Sequence, residues 1–255
     1  MPRPSSRHRA GFSAAMCSLP REGPWAAVQS RCYLASMAVR LEEDHPSIVI
    51  VGGWDPRLLH PLWFRSEKLL GQAEADQAQV KLVLPEFTEW STDWLLIQVT
   101  RDRLLAQAKV ESAADALRDL VLGTLQILDH TVTTAMGLNR SMHFDVGGEG
   151  NWHKIGHTLA PKELWRPHLK SQPGMRTLQI EETKRHDGLP GKALVSVQPS
   201  LKYPNAVLFD VNNEVINAES VPGTGYFEKV IRDHWTRLLA EARSMAEGVL
   251  EGALR

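Results

Sequence analysis

Cysteine is scarce in this chain. Its two cysteines, Cys17 and Cys32, both fall within residues 1–36. The remaining sequence therefore has no disulfide framework, no thiolate metal site and no cysteine nucleophile, which suits a reducing cytoplasm. Excess charge is also missing. Lys and Arg number 29 against 30 Asp and Glu, a formal net charge of −1, so no global field draws the protein to nucleic acid or anionic lipid. No apolar run approaches the roughly 20 residues that span a bilayer, and no membrane partner is expected. Several catalytic and nucleotide signatures are absent as well. There is no Gly-x-Ser-x-Gly elbow. No Lys-Ser/Thr follows Gly147-Gly148-Glu149-Gly150, and no third glycine follows Gly52-Gly53 at dinucleotide-binding spacing. Both glycine groups read as turns.

What is present is an ordinary globular composition, 43% hydrophobic and 23% charged over 255 residues, enough for one large domain or two small ones packed together. Residues 1–36 begin with a basic stretch, and their apolar part is short and interrupted by Ser and Cys. They read as a poorly ordered extension, with Met37 the expected start of the working protein.

Strand signals lie at 47–51, 80–84, 176–183, 192–198 and 206–211, where β-branched runs stop at Gly, Pro or Asn. Residues 94–99 and 104–110 flank Thr100-Arg101-Asp102-Arg103 as a hairpin. The segment 56–72 reads as a helix kinked at Pro61. Leu117, Leu120, Val121, Thr124, Leu125 and Leu128 repeat at three and four, marking a helix with Ser112 as its cap. Phe227, Val230, Ile231, Trp235, Leu238, Ala242, Met245 and Val249 mark a second, longer helix.

The order predicts an α+β fold: antiparallel sheet with two long amphipathic helices on one face. Residues 37–255 form a single α+β domain or two tightly packed halves, about 80–130 and 131–250. TATA-binding-protein-like and SecB-like arrangements both satisfy that order.

The stretch from His130 to Trp165 holds four of the ten histidines and two of the eight tryptophans. It is an extended segment, a Gly-rich turn and a helix over 151–159. His153 and His157 share one helical face and could hold a divalent metal with His143 as third ligand, assisted by Asp145 or Glu149. Against that, Lys154 stands where a metallopeptidase carries its general base, so helix-surface packing is the better reading of the pair. Trp152 and Trp165 are expected to pin that helix to the sheet. Gly137 and Asn139 predict a bulge that re-aims Arg140. Trp54, Trp63, Trp90 and Trp94 are expected in the core. A local basic face around Lys184, Arg185 and Lys192 is the weakest option, for nucleic acid.

The segments HPSIVIVGGWDPRLLHPLWF, WLLIQVTRDRLLAQA, LRDLVLGTLQILDHTVTTAMGLNRSMHF and NWHKIGHTLAPKELW resemble a sporadically distributed family of uncharacterised bacterial α+β proteins. The resemblance covers about residues 46–246. It implies a soluble protein and carries no catalytic residues, no cofactor and no mechanism.

The function these features predict is non-enzymatic. It is a cytoplasmic protein acting through protein–protein interaction, with another protein or by self-association, in an antitoxin, immunity, chaperone-like or phage-related role. The alternative is a metal-dependent hydrolase or nuclease built on His143, His153 and His157.

Overall fold

The computed structural model describes residues 39–218 and 222–255. The extension 1–36, with both cysteines, lies outside the described residues, and so does the expectation that it is poorly ordered.

Among the described residues, nine strands form one antiparallel sheet, ordered β2-β3-β4-β5-β1-β6-β9-β8-β7. They are β1 (Arg40–Gly52), β2 (Gln79–Val83), β3 (Phe87–Ser91), β4 (Leu95–Thr100), β5 (Arg103–Ala108), β6 (Thr133–Asp145), β7 (Leu178–Glu182), β8 (Gly191–Pro199) and β9 (Ala206–Ile216). Among the described residues, five helices accompany them: α1 (Pro61–Ser66), α2 (Gln72–Asp76), α3 (Ala114–Ile127), α4 (Glu149–Leu159) and α5 (Gly225–Leu254). The class is α+β.

The two longest strands, β1 and β6, pair at the centre of the sheet. Along β6, Met136, Leu138, Arg140, Met142 and Phe144 are buried, whereas the alternate residues are only half-buried. That period of two turns one side toward the helices and leaves Gly137, Asn139, Ser141 and His143 on the opposite, open side. On the helix side lie two apolar cores. One joins Ile48, Ile50, Trp90 and Ile97 to α3 and the first half of α5. The other joins Met142, Phe144, Phe209 and Ile155 to the second half of α5.

Several local expectations are corrected. β1 starts at Arg40, seven residues before the β-branched run, because its charged first half pairs along β6. Pro46 lies just beyond the β1–β5 ladder, which ends at Ser47, so β1 is paired there on its β6 side alone. Pro61 starts α1 instead of kinking a longer helix, since its fixed φ and absent N–H suit a first turn. β3 was not signalled, being short and interrupted by Glu89. It is held from above: Trp90 Nε1 donates to Leu59 O at 2.9 Å and Thr88 Oγ1 to Pro56 O at 2.6 Å. A 3-10 turn, Glu111–Ala113, leads into α3, so Ser112 does not cap it.

No bulge occurs at Gly137–Asn139. β6 pairs without a shift from Ala135 to Asp145 on β9, and the irregularities on its β1 side lie at Leu41/Glu43 and Val51/Gly52. Gly137 instead leaves room for two amides. A Cβ there would meet Asn139 Oδ1 at 2.9 Å and Asn212 Oδ1 at 3.1 Å. Arg140 is aimed by ordinary strand alternation. It is buried on the helix side, between Leu138 of one core and Met142 of the other.

There Arg140 Nε donates to both oxygens of Asp44 at 3.0 Å, and Nη2 also bonds Asp44. Nη1 donates to Leu239 O at 2.5 Å, and Nη2 to Glu111 Oε1 at 2.7 Å, which Arg243 also reaches at 2.9 Å. One guanidinium thus ties β1, the 3-10 turn and α5 to β6. Both charges of the Arg140–Asp44 pair are nearly inaccessible, so removing one strands the other in a low-dielectric site. Arg140→Met is expected to cost roughly 3–5 kcal/mol in urea unfolding, the usual effect of breaking a buried pair. Adding Asp44→Leu should recover most of that loss; a double variant as unstable as the single one would contradict this account.

Candidate functional site

The expected metal set is not brought together. His143 lies on the open side of β6, whereas α4, which carries His153 and His157, packs on the helix side through Ile155. The sheet stands between them. Among the described residues, no group of three or more His, Cys, Asp or Glu side chains is placed to hold a metal ion. His153 meets Glu149 at 3.5 Å and His157 meets Glu163 at 2.9 Å, both at exposed positions.

His143 belongs to a polar cluster formed by β1, β6 and the loop between β8 and β9. In register with Glu43, it packs edge-on to Tyr203 at 5.7 Å between ring centres. Its Nδ1 is 2.9 Å from Ser200 Oγ. That hydroxyl accepts the backbone N–H groups of Lys202 at 3.1 Å and Tyr203 at 3.0 Å. Burial pushes the His143 imidazole below its ordinary pKa, so its neutral form can accept the Ser200 proton at Nδ1. Burial alone would raise the Glu43 carboxyl, but hydrogen bonds from Lys202, Tyr203 and His45 outweigh it and hold the group at about 2.

A serine hydroxyl directed at a neutral imidazole has the polarity of a nucleophile and its base. Here, however, the serine oxygen already accepts two turn N–H groups, and the carboxylate is engaged by three other side chains. The arrangement clasps the loop to the central strands. Ser200, Lys202 and Tyr203 escaped sequence reasoning because Pro204-Asn205 marks only a turn, and only the β1–β6 register brings Glu43 beside His143.

No protein-family model matches the chain, and no curated protein matches it.

Two further surfaces stand out. α4, the irregular segment 160–175 and the ends of β8 and β9 enclose a cleft of about 790 Å³, lined in part by His153 and His157. The glycine turn before α4 holds Gly147 at φ 75° and Gly148 at φ 115°, a region that favours glycine, and it binds Asp145 through Gly147 N–H. Trp152 is half-buried against the second core, but Trp165 is 58% exposed and does not pin α4 to the sheet. Trp54 and Trp90 are buried in the first core, with Trp63 and Trp94 packed at its margin.

The other surface is the sheet edge at β2, where all five residues are exposed, including Val80, Leu82 and Val83. The opposite edge, β7, ends in Glu181 and Glu182, paired with Lys192 and His186. Lys192 is thereby engaged, and Arg185 is buried against Asp187 and Asn213, so neither belongs to an open basic face. Among the described residues, no helix is long and apolar enough to cross a membrane.

The Glu43 cluster has a pH signature. Its folded carboxyl, at about 2, lies below the ordinary 4.5, so its stabilisation is complete above the higher value and lost as pH falls through the lower one. Unfolding free energies of the wild type and Glu43→Gln are therefore expected to converge between those values. A constant gap would contradict the hydrogen-bonded carboxylate.

Proposed function

We propose that the protein acts without catalysis, by binding an extended apolar segment of another polypeptide along β2. The observation that carries this reading is the contrast between the two sheet edges. Unpaired strand edges invite pairing with other chains, and proteins blunt them with charge. β7 has two glutamates in five residues; β2 has one charge, Lys81, whose ammonium is drawn to Glu89 at 2.7 Å.

Beside β2 a groove of about 280 Å³ is lined by Lys81, Glu89, Trp90, Ser91 and Leu96 among others. Strand addition uses both features: main-chain hydrogen bonds along the edge give affinity, and a side-chain pocket gives selectivity. A second copy of this chain is the less favoured occupant. It would show as protection of the Gln79–Val83 amides that rises with protein concentration in the absence of peptide.

A long strand, a helical segment, a meander and a closing helix occur in that order from β1 to α3, and again from β6 to α5. This supports two similar halves in a TATA-binding-protein-like or SecB-like order, the first starting at Arg40 and not at about residue 80, the second over about 131–250, each closed by an amphipathic helix. Membership of the bacterial α+β family, and a cytoplasmic place of action, rest on the sequence resemblance and cysteine usage alone.

The test is selection from a random hexapeptide library on the full chain, followed by amide exchange. Apolar, extended peptides should be enriched and should slow exchange of amides within Gln79–Val83. Leu82→Asp, at an exposed site, should weaken them about tenfold or more without moving the unfolding midpoint. Peptides that bind without protecting β2, or no selected peptide at all, would remove this reading.

A further inference from the structure

The cleft beside α4 has a charge pattern unlike the chain as a whole. The full sequence balances its charges to −1, yet the lining includes Lys154, Lys162, Arg166, His153 and His157 without one Asp or Glu. These cations are not equivalent. Lys154 Nζ donates to Leu254 O at 2.5 Å, near the end of α5. Lys162, almost wholly buried, donates to Gly156 O at 2.6 Å and to Ala160 O, closing the end of α4. An ammonium has three donors, so one on Lys162 is left over. His157 is tied to Glu163.

Arg166 differs from all of them. It is exposed, and its guanidinium lies near the Glu163 carboxylate, helping to hold that group below its ordinary pKa, without closing an ion pair or hydrogen bond with it among the described residues. A guanidinium presents a planar fork of donors that matches carboxylate, sulfonate and phosphate oxygens.

The rest of the lining is apolar where it is deepest. Ile155 and Val207 are buried members of the second core, with Trp152 and Met175 packed against it. The cleft's 790 Å³ falls within the usual range for small-molecule sites, which combine apolar walls with a few placed polar groups.

We infer that this cleft binds a small organic anion, its planar apolar body against Trp152 and Met175 and its acidic group on Arg166 and the remaining N–H of Lys162. Charge complementarity selects the class. A neutral ligand gains nothing from the cationic lining of Lys154, Lys162 and Arg166, and an inorganic anion leaves the apolar wall unused.

Two probes of similar shape test this on the full chain: 8-anilinonaphthalene-1-sulfonate, which is anionic, and N-phenyl-1-naphthylamine, which is neutral. The sulfonate is expected to bind one per chain with micromolar affinity, seen by fluorescence titration, and the amine about tenfold or more weakly. Arg166→Glu should weaken the sulfonate by a similar factor while leaving the thermal midpoint and the amine unchanged. Met175→Trp, which fills the cleft, should weaken both probes. Leu82→Asp at the β2 edge should affect neither, separating this site from the exposed strand. No sulfonate binding, equal affinity for the two probes, or sulfonate binding that survives Arg166→Glu would each overturn the inference.

Discussion

The ion pair between Arg140 and Asp44 is the constraint on which the rest of the structure depends. Each apolar core could form by burial alone, since burial is non-directional and tolerates many arrangements. A buried guanidinium is less tolerant, because each unmatched donor costs free energy in a dry interior. At the seam of the two cores, Arg140 has to find Asp44, Leu239 O and Glu111 together. Those partners come from β1, α5 and the 3-10 turn, so satisfying one side chain fixes three elements relative to β6. Another buried pair acts beside α5, at Arg237, two residues before Leu239. Asp187, in the β7–β8 loop, accepts from Arg185 at 2.6 Å and from Arg237 of the helix at 3.2 Å. The helix is therefore held in position by charge as well as by its apolar face.

Much of this architecture was legible in the sequence, and the missing parts have identifiable physical causes. Periodicity located α3 and α5 because a one-sided apolar stripe is a strong local signal. It located β4, β5, β8 and β9 because each carries a run of apolar residues bounded by turns. It failed for the first half of β1, where Arg40, Glu42 and Glu43 look like solvent-facing loop. Their strand conformation comes from pairing with residues about a hundred positions later, which no local window contains. The same limit applied to the histidines. Spacing placed His153 and His157 on one helix correctly, but it could not show that a sheet separates them from His143. Arg140 was noticed for its glycine and asparagine neighbours, whereas its significance lies in partners far away in sequence.

The open and covered sides of the sheet divide the labour. On the helix side, side chains are engaged in cores and ion pairs. On the open side, the polar cluster of Glu43, His143, Ser200 and Tyr203 fastens a loop, and its titrating groups are spent on internal contacts. Two exposed features stand apart from these contacts: β2, with its single charge at Lys81, at one edge of the sheet, and the cationic cleft between α4 and the ends of β8 and β9.

α5 also bears on how the chain reaches this fold. The helix covers both cores, yet it follows all nine strands in the sequence. During synthesis the nine strands emerge before the helix that spans both cores, and the Nη1 donor of Arg140 must wait for Leu239 O. A nascent chain at that stage presents wide apolar surface and unpaired strand edges, the features that favour aggregation over folding. Closure of both cores thus awaits α5, and the interval before that helix forms is when the chain most needs protection from its neighbours.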